Sequence, residues 1–377
     1  MKYFFHIITT CCAFMLTHTV FAQQISTITQ SKSIFLNPGM CSRVLTLNDG
    51  ANQAESVLLT SSSEGGVDTH IEAVILSIVA KEVLYKFTLP KKGIFETRDL
   101  IALAENDLIA LTYILGKNYS LVKLDKKGGD IKRQALPSEF YPVGLTRLSA
   151  TSFAVFGSIT QKPALFFFDE KFNLDKKIIL DQVEGLNSVF AIFLLPDDNL
   201  LLKIQGKQKQ KSTVNTLLMK ISKLGKMEKL IQIDAEDIGL SVKRSGEVLV
   251  TYYGMRNGEV SAIALDLRED LSSQWERVVY RQILSVARVA SSPLESGWLV
   301  FGSQALNPKL FQISDKGDSQ VQVKYNGSFA APAISSHLKN YARSIVAVQE
   351  NKPMRQGKPV EIQQCDGIRI DFWDESK

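Results

Sequence analysis

The sequence predicts an all-β fold, a seven-bladed β-propeller with four antiparallel strands in each blade, with six or eight blades as the neighbouring counts. Three observations predict it. An apolar run, a short polar residue and a turn recur along the chain. The recurring position falls at Ser77, Asp125, Asp169, Ser222, Asp266, Ser314 and Gln363, with gaps of 44–53 residues. A repeat of that length is the mark of a blade of four short strands. Middle runs such as Val248-Leu-Val250, Trp298-Leu-Val-Phe301 and Leu200-Leu-Leu202 are apolar on successive residues. A strand covered on both faces, as between two blades, reads this way. The last run of each repeat, as in Asp130-Ile-Lys-Arg133 and Trp275-Glu-Arg-Val-Val279, is more polar and suits a rim strand.

The first element is a leader, not part of the fold. Lys2 supplies a positive start, Phe4 to Val20 is a mostly apolar run, and Val20-Phe21-Ala22 offers small residues at the cleavage-site positions. Residues 1–22 are therefore expected to be a signal peptide and 23–377 a single propeller domain. Cys11 and Cys12 lie within the apolar run without a lipobox, so the expected product is a soluble exported protein, periplasmic or extracellular. No later segment holds 18 uninterrupted apolar residues, so no transmembrane segment is expected in the mature chain. Gln23 to Leu36 reads as a short remainder before the first repeat.

The repeat near Val143 shows the internal order. Gly144-Leu-Thr-Arg-Leu148 is a first strand, Phe153-Ala-Val-Phe156 a second, Ala164-Leu-Phe-Phe-Phe168 a third and Lys176-Lys-Ile-Ile-Leu180 the last. Gly157 to Pro163 is expected as a loop between the middle two. Asp125-Lys-Lys-Gly128, Ser222-Lys-Leu-Gly225 and Ser314-Asp-Lys-Gly317 share one register. A short polar side chain there accepts backbone N–H bonds and glycine takes a positive φ, so these positions read as turn closers, not ligands.

Gly297-Trp-Leu-Val-Phe-Gly302, followed by Leu310-Phe-Gln-Ile-Ser-Asp-Lys-Gly317, resembles the repeats of secreted bacterial propellers, and Leu121 to Gly128 and Phe153 to Ser158 carry the same phrase. The resemblance is to a class and implies the fold alone, since such repeats occur in enzymes, assembly factors and receptors. Quinone-dependent dehydrogenase propellers are set aside, because they repeat a docking tryptophan in nearly every blade and this mature chain has only Trp275, Trp298 and Trp373.

The formal charge of +5 is mildly basic, and an exported protein has little occasion to meet nucleic acid. Two cysteines survive cleavage, Cys41 and Cys365, in the first and last repeats. In an oxidising compartment they are expected to form a disulfide across the closure of the ring. His70, read as a loop residue, and His337 are the only histidines left, too few for a zinc site or for a recognisable triad. The acidic groups Asp197-Asp198 and Asp266 with Glu269-Asp270 fall in predicted turns. No catalytic residue, metal or cofactor is therefore assigned.

The longest gap contains Gly206-Lys-Gln-Lys-Gln-Lys-Ser-Thr213, and the last repeat contains Asn351-Lys-Pro-Met-Arg-Gln-Gly-Lys-Pro359. Lys207, Lys209, Lys211, Arg355 and Lys358 are accordingly the candidate binding residues, for an anionic partner on one basic face. The function expected is a non-catalytic binding or assembly module for a protein or an envelope or glycan partner. The alternative is an enzyme, such as a glycan hydrolase or lyase, with a central-channel site of Asp, Glu, Arg and Tyr drawn from several blades.

Overall fold

A computed structural model describes residues 27–376, apart from 38–40, 50–54, 65–66, 90–94, 104–106, 115–117, 182–184, 208–213, 236–237, 281–289, 295, 305–306, 325–327, 340–341 and 353–367. The chain is a β-propeller of four-stranded antiparallel sheets. Six sheets are built from consecutive strands, and a seventh joins the two ends of the chain.

The N-terminal strand β1 is Thr27–Leu36. Blade 1 follows with β2 (Cys41–Asp49), β3 (Glu55–Glu64), β4 (Val67–Ser77) and β5 (Glu82–Thr88). Blade 2 comprises β6 (Phe95–Ala102), β7 (Leu108–Ile114), β8 (Tyr119–Leu124) and β9 (Asp130–Ala135). Blade 3 has β10 (Phe140–Arg147), β11 (Ser152–Ile159), β12 (Lys162–Asp169) and β13 (Leu174–Ile179). Blade 4 has β14 (Leu186–Leu194), β15 (Leu200–Lys207), β16 (Val214–Ile221) and β17 (Met227–Ile233). Blade 5 has β18 (Ile238–Val242), β19 (Val248–Arg256), β20 (Glu259–Leu267) and β21 (Ser273–Tyr280). Blade 6 has β22 (Ala290–Leu294), β23 (Gly297–Gln304), β24 (Asn307–Ile313) and β25 (Ser319–Lys324). The closing blade takes β26 (Ser328–Lys339), β27 (Ala342–Lys352) and β28 (Ile368–Ser376) from the C-terminus and β1 from the N-terminus, in the order β1-β28-β27-β26.

This corrects two sequence expectations. The segment before the first repeat is not a remainder, because β1 pairs with β28 along its length, Thr27 opposite Ser376 and Leu36 opposite Ile368. The third strand of the closing blade is Ile368–Ser376, so the last recurring position lies beyond Gln363, which is outside the described residues. Pairing the first and last strands in one sheet closes the ring through a blade shared by the two ends of the chain. β26 lies beside both β22 and β2.

The core is a series of slabs between blades. Along β11, Phe153 and Val155 pack toward blade 2, while Ala154 and Phe156 pack toward blade 4. Successive side chains of one strand point to opposite faces, and here each face meets a neighbouring blade. That explains the unbroken apolar runs. Full burial of each such side chain is worth about 1.5–3 kcal/mol. The outer strand β9 is exposed along nearly its whole length, as the polar rim pattern requires.

The turn expectation holds in detail. Gly128, Gly225 and Gly317 take φ of +81°, +84° and +85°. Asp125 accepts from the amides of Lys127 and Gly129, and Ser314 from those of Lys316 and Asp318. The expected loop at Gly157 to Pro163 is shorter than predicted. β11 and β12 run to a two-residue hairpin at Thr160 and Gln161, whose φ values are +46° and +63°. Asp266 departs from the turn set, since it pairs with Trp275 inside β20 and is buried, while the turn lies at Arg268 to Ser272. His70 sits in β4 opposite Ser62, not in a loop.

Candidate functional site

The two rims of the propeller differ. The rim carrying the connections from first to second and from third to fourth strands is laced by lysines. Lys220, nearly buried at the end of β16, contacts Asp197 at 2.6 Å within its blade and Glu269 of blade 5 at 3.9 Å. Burial pushes Asp197 up, but Lys220 and the Asn199 amide and side chain hold its carboxyl below the usual range. Lys243 of blade 5 pairs with Glu247 at 3.2 Å and with Asp315 of blade 6, and lies 4.6 Å from the Trp298 ring. Beside it, burial pushes Asp266 up to about 7, with Lys243 opposing. Lys81 bridges to Asp374 of the closing blade, and Lys132 and Lys176 donate to the carbonyls of Lys171 and Lys223 in the next blade. This rim binds blade to blade.

The opposite rim, where first strands begin, carries the candidate site, between blades 2 and 3. Four innermost strands bulge at one level, four residue pairs above their turn. The extra residues are Leu45 in β2, Arg98 in β6, Val143 in β10 and Phe190 in β14. A bulge re-aims a side chain and sharpens the local twist. Leu45 and Val143 use that position to pack on the slab toward the next blade. Arg98 holds it with a cation. Its guanidinium carbon is 5.7 Å from the ring centres of both Tyr113 and Tyr119. The two rings are 4.8 Å apart, and Tyr119 meets Tyr141 edge-on at 5.4 Å. Tyr113 is the last residue but one of β7, Tyr119 opens β8 and Tyr141 is the second residue of β10, so all three lie at the same rim. Tyr141 is 59% exposed, an aromatic side chain open to solvent next to Tyr119.

Asp99, next to Arg98, fixes this mouth from beneath. Its carboxylate accepts from its neighbour Leu100 N at 2.8 Å, from Leu145 N of β10 at 2.7 Å and from Asn48 Nδ2 of β2 at 3.0 Å. One buried side chain thus joins the inner strands of three blades. Burial pushes its pKa up to about 6, against the pull of the hydrogen bonds from Leu145, Leu100 and Asn48. The approach depends on glycine: a Cβ at Gly144 would lie 2.9 Å from Asp99 Oδ2. A Cβ at Gly157 would fall 2.1 Å from the Tyr141 carbonyl oxygen and 2.7 Å from Pro142 Cα, so the bulge that carries Tyr141 needs glycine there too. Burial pushes the Tyr119 phenol up, and its hydrogen bond to Tyr141 adds to this, with Arg98 opposing. A phenol held in that direction is a hydrogen-bonding group at neutral pH and not a base.

The sequence-predicted site residues are placed as follows. Lys207 closes β15, its backbone opposite Val214. Lys209, Lys211, Arg355 and Lys358 lie outside the described residues, as does Cys365. Cys41 opens β2 opposite Ser63, and its pairing with Cys365 has no described counterpart. Both basic segments link second to third strands, β15 to β16 and β27 to β28, so the strand ends that flank them share the rim of the tyrosine mouth. Asp197 and Asp198 occupy the turn expected of them, with the Asp198 amide donating to Leu195. Sequence reasoning missed Arg98, Tyr113, Tyr119 and Tyr141. The available signal was the arginine at a position where the sibling repeats carry leucine, valine and phenylalanine, but it needs the bulge register to be seen.

No family model matches the chain, and no curated protein matches it. Among solved structures it is similar to the polysaccharide lyase Uly1, with 6% identity, 94% of each chain covered and a TM-score of 0.51. It is similar also to a protein from Lactobacillus plantarum, at 11% identity over 82% of this chain and 97% of that one, TM-score 0.49. Hsv2 of Kluyveromyces lactis is 14% identical over 87% and 98% of the two chains, TM-score 0.46. At 6% identity the likeness to Uly1 is one of fold alone. Among the described residues no helix is long and apolar enough to cross a membrane.

Proposed function

We propose that the protein is an exported, non-catalytic binding module whose ligand is a glycan held at the mouth between blades 2 and 3. The observation that carries this reading is the cluster of Arg98, Tyr113, Tyr119 and the exposed Tyr141 on bulged or terminal strand positions at one rim. Tyrosine rings give an apolar face and a hydroxyl at little cost in conformational entropy, which suits a ligand with both C–H faces and hydroxyls. Binding is favoured over bond cleavage because neither Asp99 nor the Tyr119 phenol is poised as a base. Asp99 is buried with its oxygens engaged by donors, and the Tyr119 phenol is pushed up. Lys207, Lys209, Lys211, Arg355 and Lys358 would extend the same rim with positive charge, and a Cys41–Cys365 disulfide would staple it.

The test is retention of the protein lacking residues 1–22 on a panel of immobilised neutral and acidic polysaccharides. Tyr141→Ala and, as a control on the opposite rim, Leu224→Ala run beside it. The reading expects at least one polysaccharide retained, retention lost in Tyr141→Ala and kept in Leu224→Ala, and no new reducing ends released. Release of cleaved product would replace the reading with the enzymatic alternative.

A further inference from the structure

We infer that the seam between blades 5 and 6 is a pH-sensitive latch, closed while the Asp266 carboxyl carries a proton and loosened when it loses it. This seam is not part of the tyrosine mouth, and the latch does not depend on the glycan reading. Leu249, Thr251 and Tyr253 alternate along one face of β19, and Leu249 packs with Trp298 of blade 6. The hydroxyl oxygens of Thr251 and Tyr253 on that face are buried and make no hydrogen bond. Further along the seam, Asp266 of β20 is 1% exposed, and its Oδ1 has no partner either. The Trp298 indole N–H stands beside this carboxyl but outside hydrogen-bond geometry. Four buried polar groups thus go unsatisfied along one seam. Each costs free energy in the closed state, so this seam is easier to open than one whose polar groups are bonded.

One lysine holds the seam shut. Lys243, in the turn before β19, pairs with Glu247 at 3.2 Å within its blade and with Asp315 across the seam, and lies 4.6 Å from the Trp298 ring. The Trp275 indole donates to the Asp315 carbonyl at 2.8 Å, so the same turn of blade 6 is held twice. The charged groups facing Asp266 are Lys243 and Glu247 from the turn before β19 and Asp315 from the turn after β24. Leu249, Trp275 and Trp298 surround it without charge. A protonated Asp266 leaves Lys243 to Glu247 and Asp315. An ionised Asp266 adds a third carboxylate to one cation, and a buried anion with an unbonded oxygen draws water toward the orphaned hydroxyls. Burial pushes the Asp266 carboxyl up to about 7, with Lys243 opposing and Glu247 and Asp315 adding to it. The folded state therefore binds this proton more tightly than the unfolded chain. Its stabilising effect is complete below pH 3.8 and is lost as the pH rises through about 7.

The experiment is hydrogen exchange read by mass spectrometry on the protein lacking residues 1–22, from about pH 5.5 to about pH 8.5, with each rate divided by its intrinsic rate at that pH. Protection of Val248–Tyr253, Ala262–Leu267 and Trp298–Val300 is expected to fall about tenfold or more as the pH rises, while Phe153–Phe156 of blade 3 keeps its protection. Asp266→Asn is expected to abolish the fall. Glu247→Gln removes a carboxylate that disfavours ionisation of Asp266, so the midpoint of the fall is expected to move to lower pH. This second variant decides the matter if Asp266→Asn does not fold. Constant protection across the seam, an equal fall in blade 3, or a fall that survives Asp266→Asn overturns the latch. So does a midpoint that Glu247→Gln leaves in place or raises.

Discussion

Replacing Asp99 with alanine removes the side chain that joins β2, β6 and β10. The structure allows the cost to be worked out. Three donors lose their acceptor: the amides of Leu100 and Leu145 and the side-chain amide of Asn48. A buried donor left unpaired costs about 1–3 kcal/mol, so three near the middle of that range come to about 6 kcal/mol. Against this stands the charge. Folding raises the carboxyl from 3.8 to about 6, so ionised Asp99 is less stable folded than protonated Asp99 by on the order of 3 kcal/mol. The sign follows from proton binding. The folded state binds the proton more tightly, so the contribution of Asp99 is complete below pH 3.8 and is lost as the pH rises through about 6. Asp99→Ala should therefore cost about 3 kcal/mol at pH 7.5 and roughly 4 kcal/mol at pH 5, where about half of the charge penalty has gone. Urea unfolding of both proteins at the two pH values, followed by tryptophan fluorescence, measures this as a midpoint shift at constant slope. A cost under about 1 kcal/mol at both pH values, or a larger cost at pH 7.5 than at pH 5, would refute the staple.

Other outcomes follow from the same geometry. Gly157→Ala places a Cβ 2.1 Å from the Tyr141 carbonyl oxygen, so the thermal midpoint should fall by the equivalent of about 2–4 kcal/mol and the Tyr141-dependent retention should drop with it. Tyr141→Ala, at a ring 59% exposed, should leave stability within about 0.5 kcal/mol of wild type while binding is lost, which separates the site from the fold. Lys220→Ala leaves Asp197 and Glu269 facing each other without their shared cation. It should destabilise by about 1–2 kcal/mol, the two carboxylates being partly exposed, and let the Asp197 carboxyl titrate higher in a carbon-detected NMR series.

Much of the architecture was legible in the chain because it is repeated. The positive-φ glycines, the short polar turn closers and the doubly covered strands such as Phe153–Phe156 each answer to a local rule, and the structure follows those rules. The phase slipped where the cue was chemical and not periodic. Asp266 resembles Asp125 and Asp169 in type, yet it sits inside β20 facing Lys243, and Arg268 opens the turn instead. The N-terminal segment was missed as a strand because its partner, β28, lies more than three hundred residues away in sequence. Nothing local in Thr27–Leu36 reports that pairing. The candidate site was hidden for a related reason. Arg98, Tyr113, Tyr119 and Tyr141 come from three strands of blade 2 and one of blade 3, and bulges shift the register that would align them. The basic residues at 207–211 and 355–358 caught the eye because they are contiguous, whereas a mouth between blades is assembled from residues that are not.

The most direct test of the binding account is a hydrogen-exchange footprint of the protein with and without the oligosaccharide it retains best. The account predicts slowed exchange at Phe95–Leu100, Leu111–Tyr113, Tyr119–Leu121 and Phe140–Leu145, with the turn rim around Lys220 and Lys243 unchanged. Protection confined to the ends of β15 and β16 or to the Lys220 rim, with the tyrosine mouth unaffected, would contradict it.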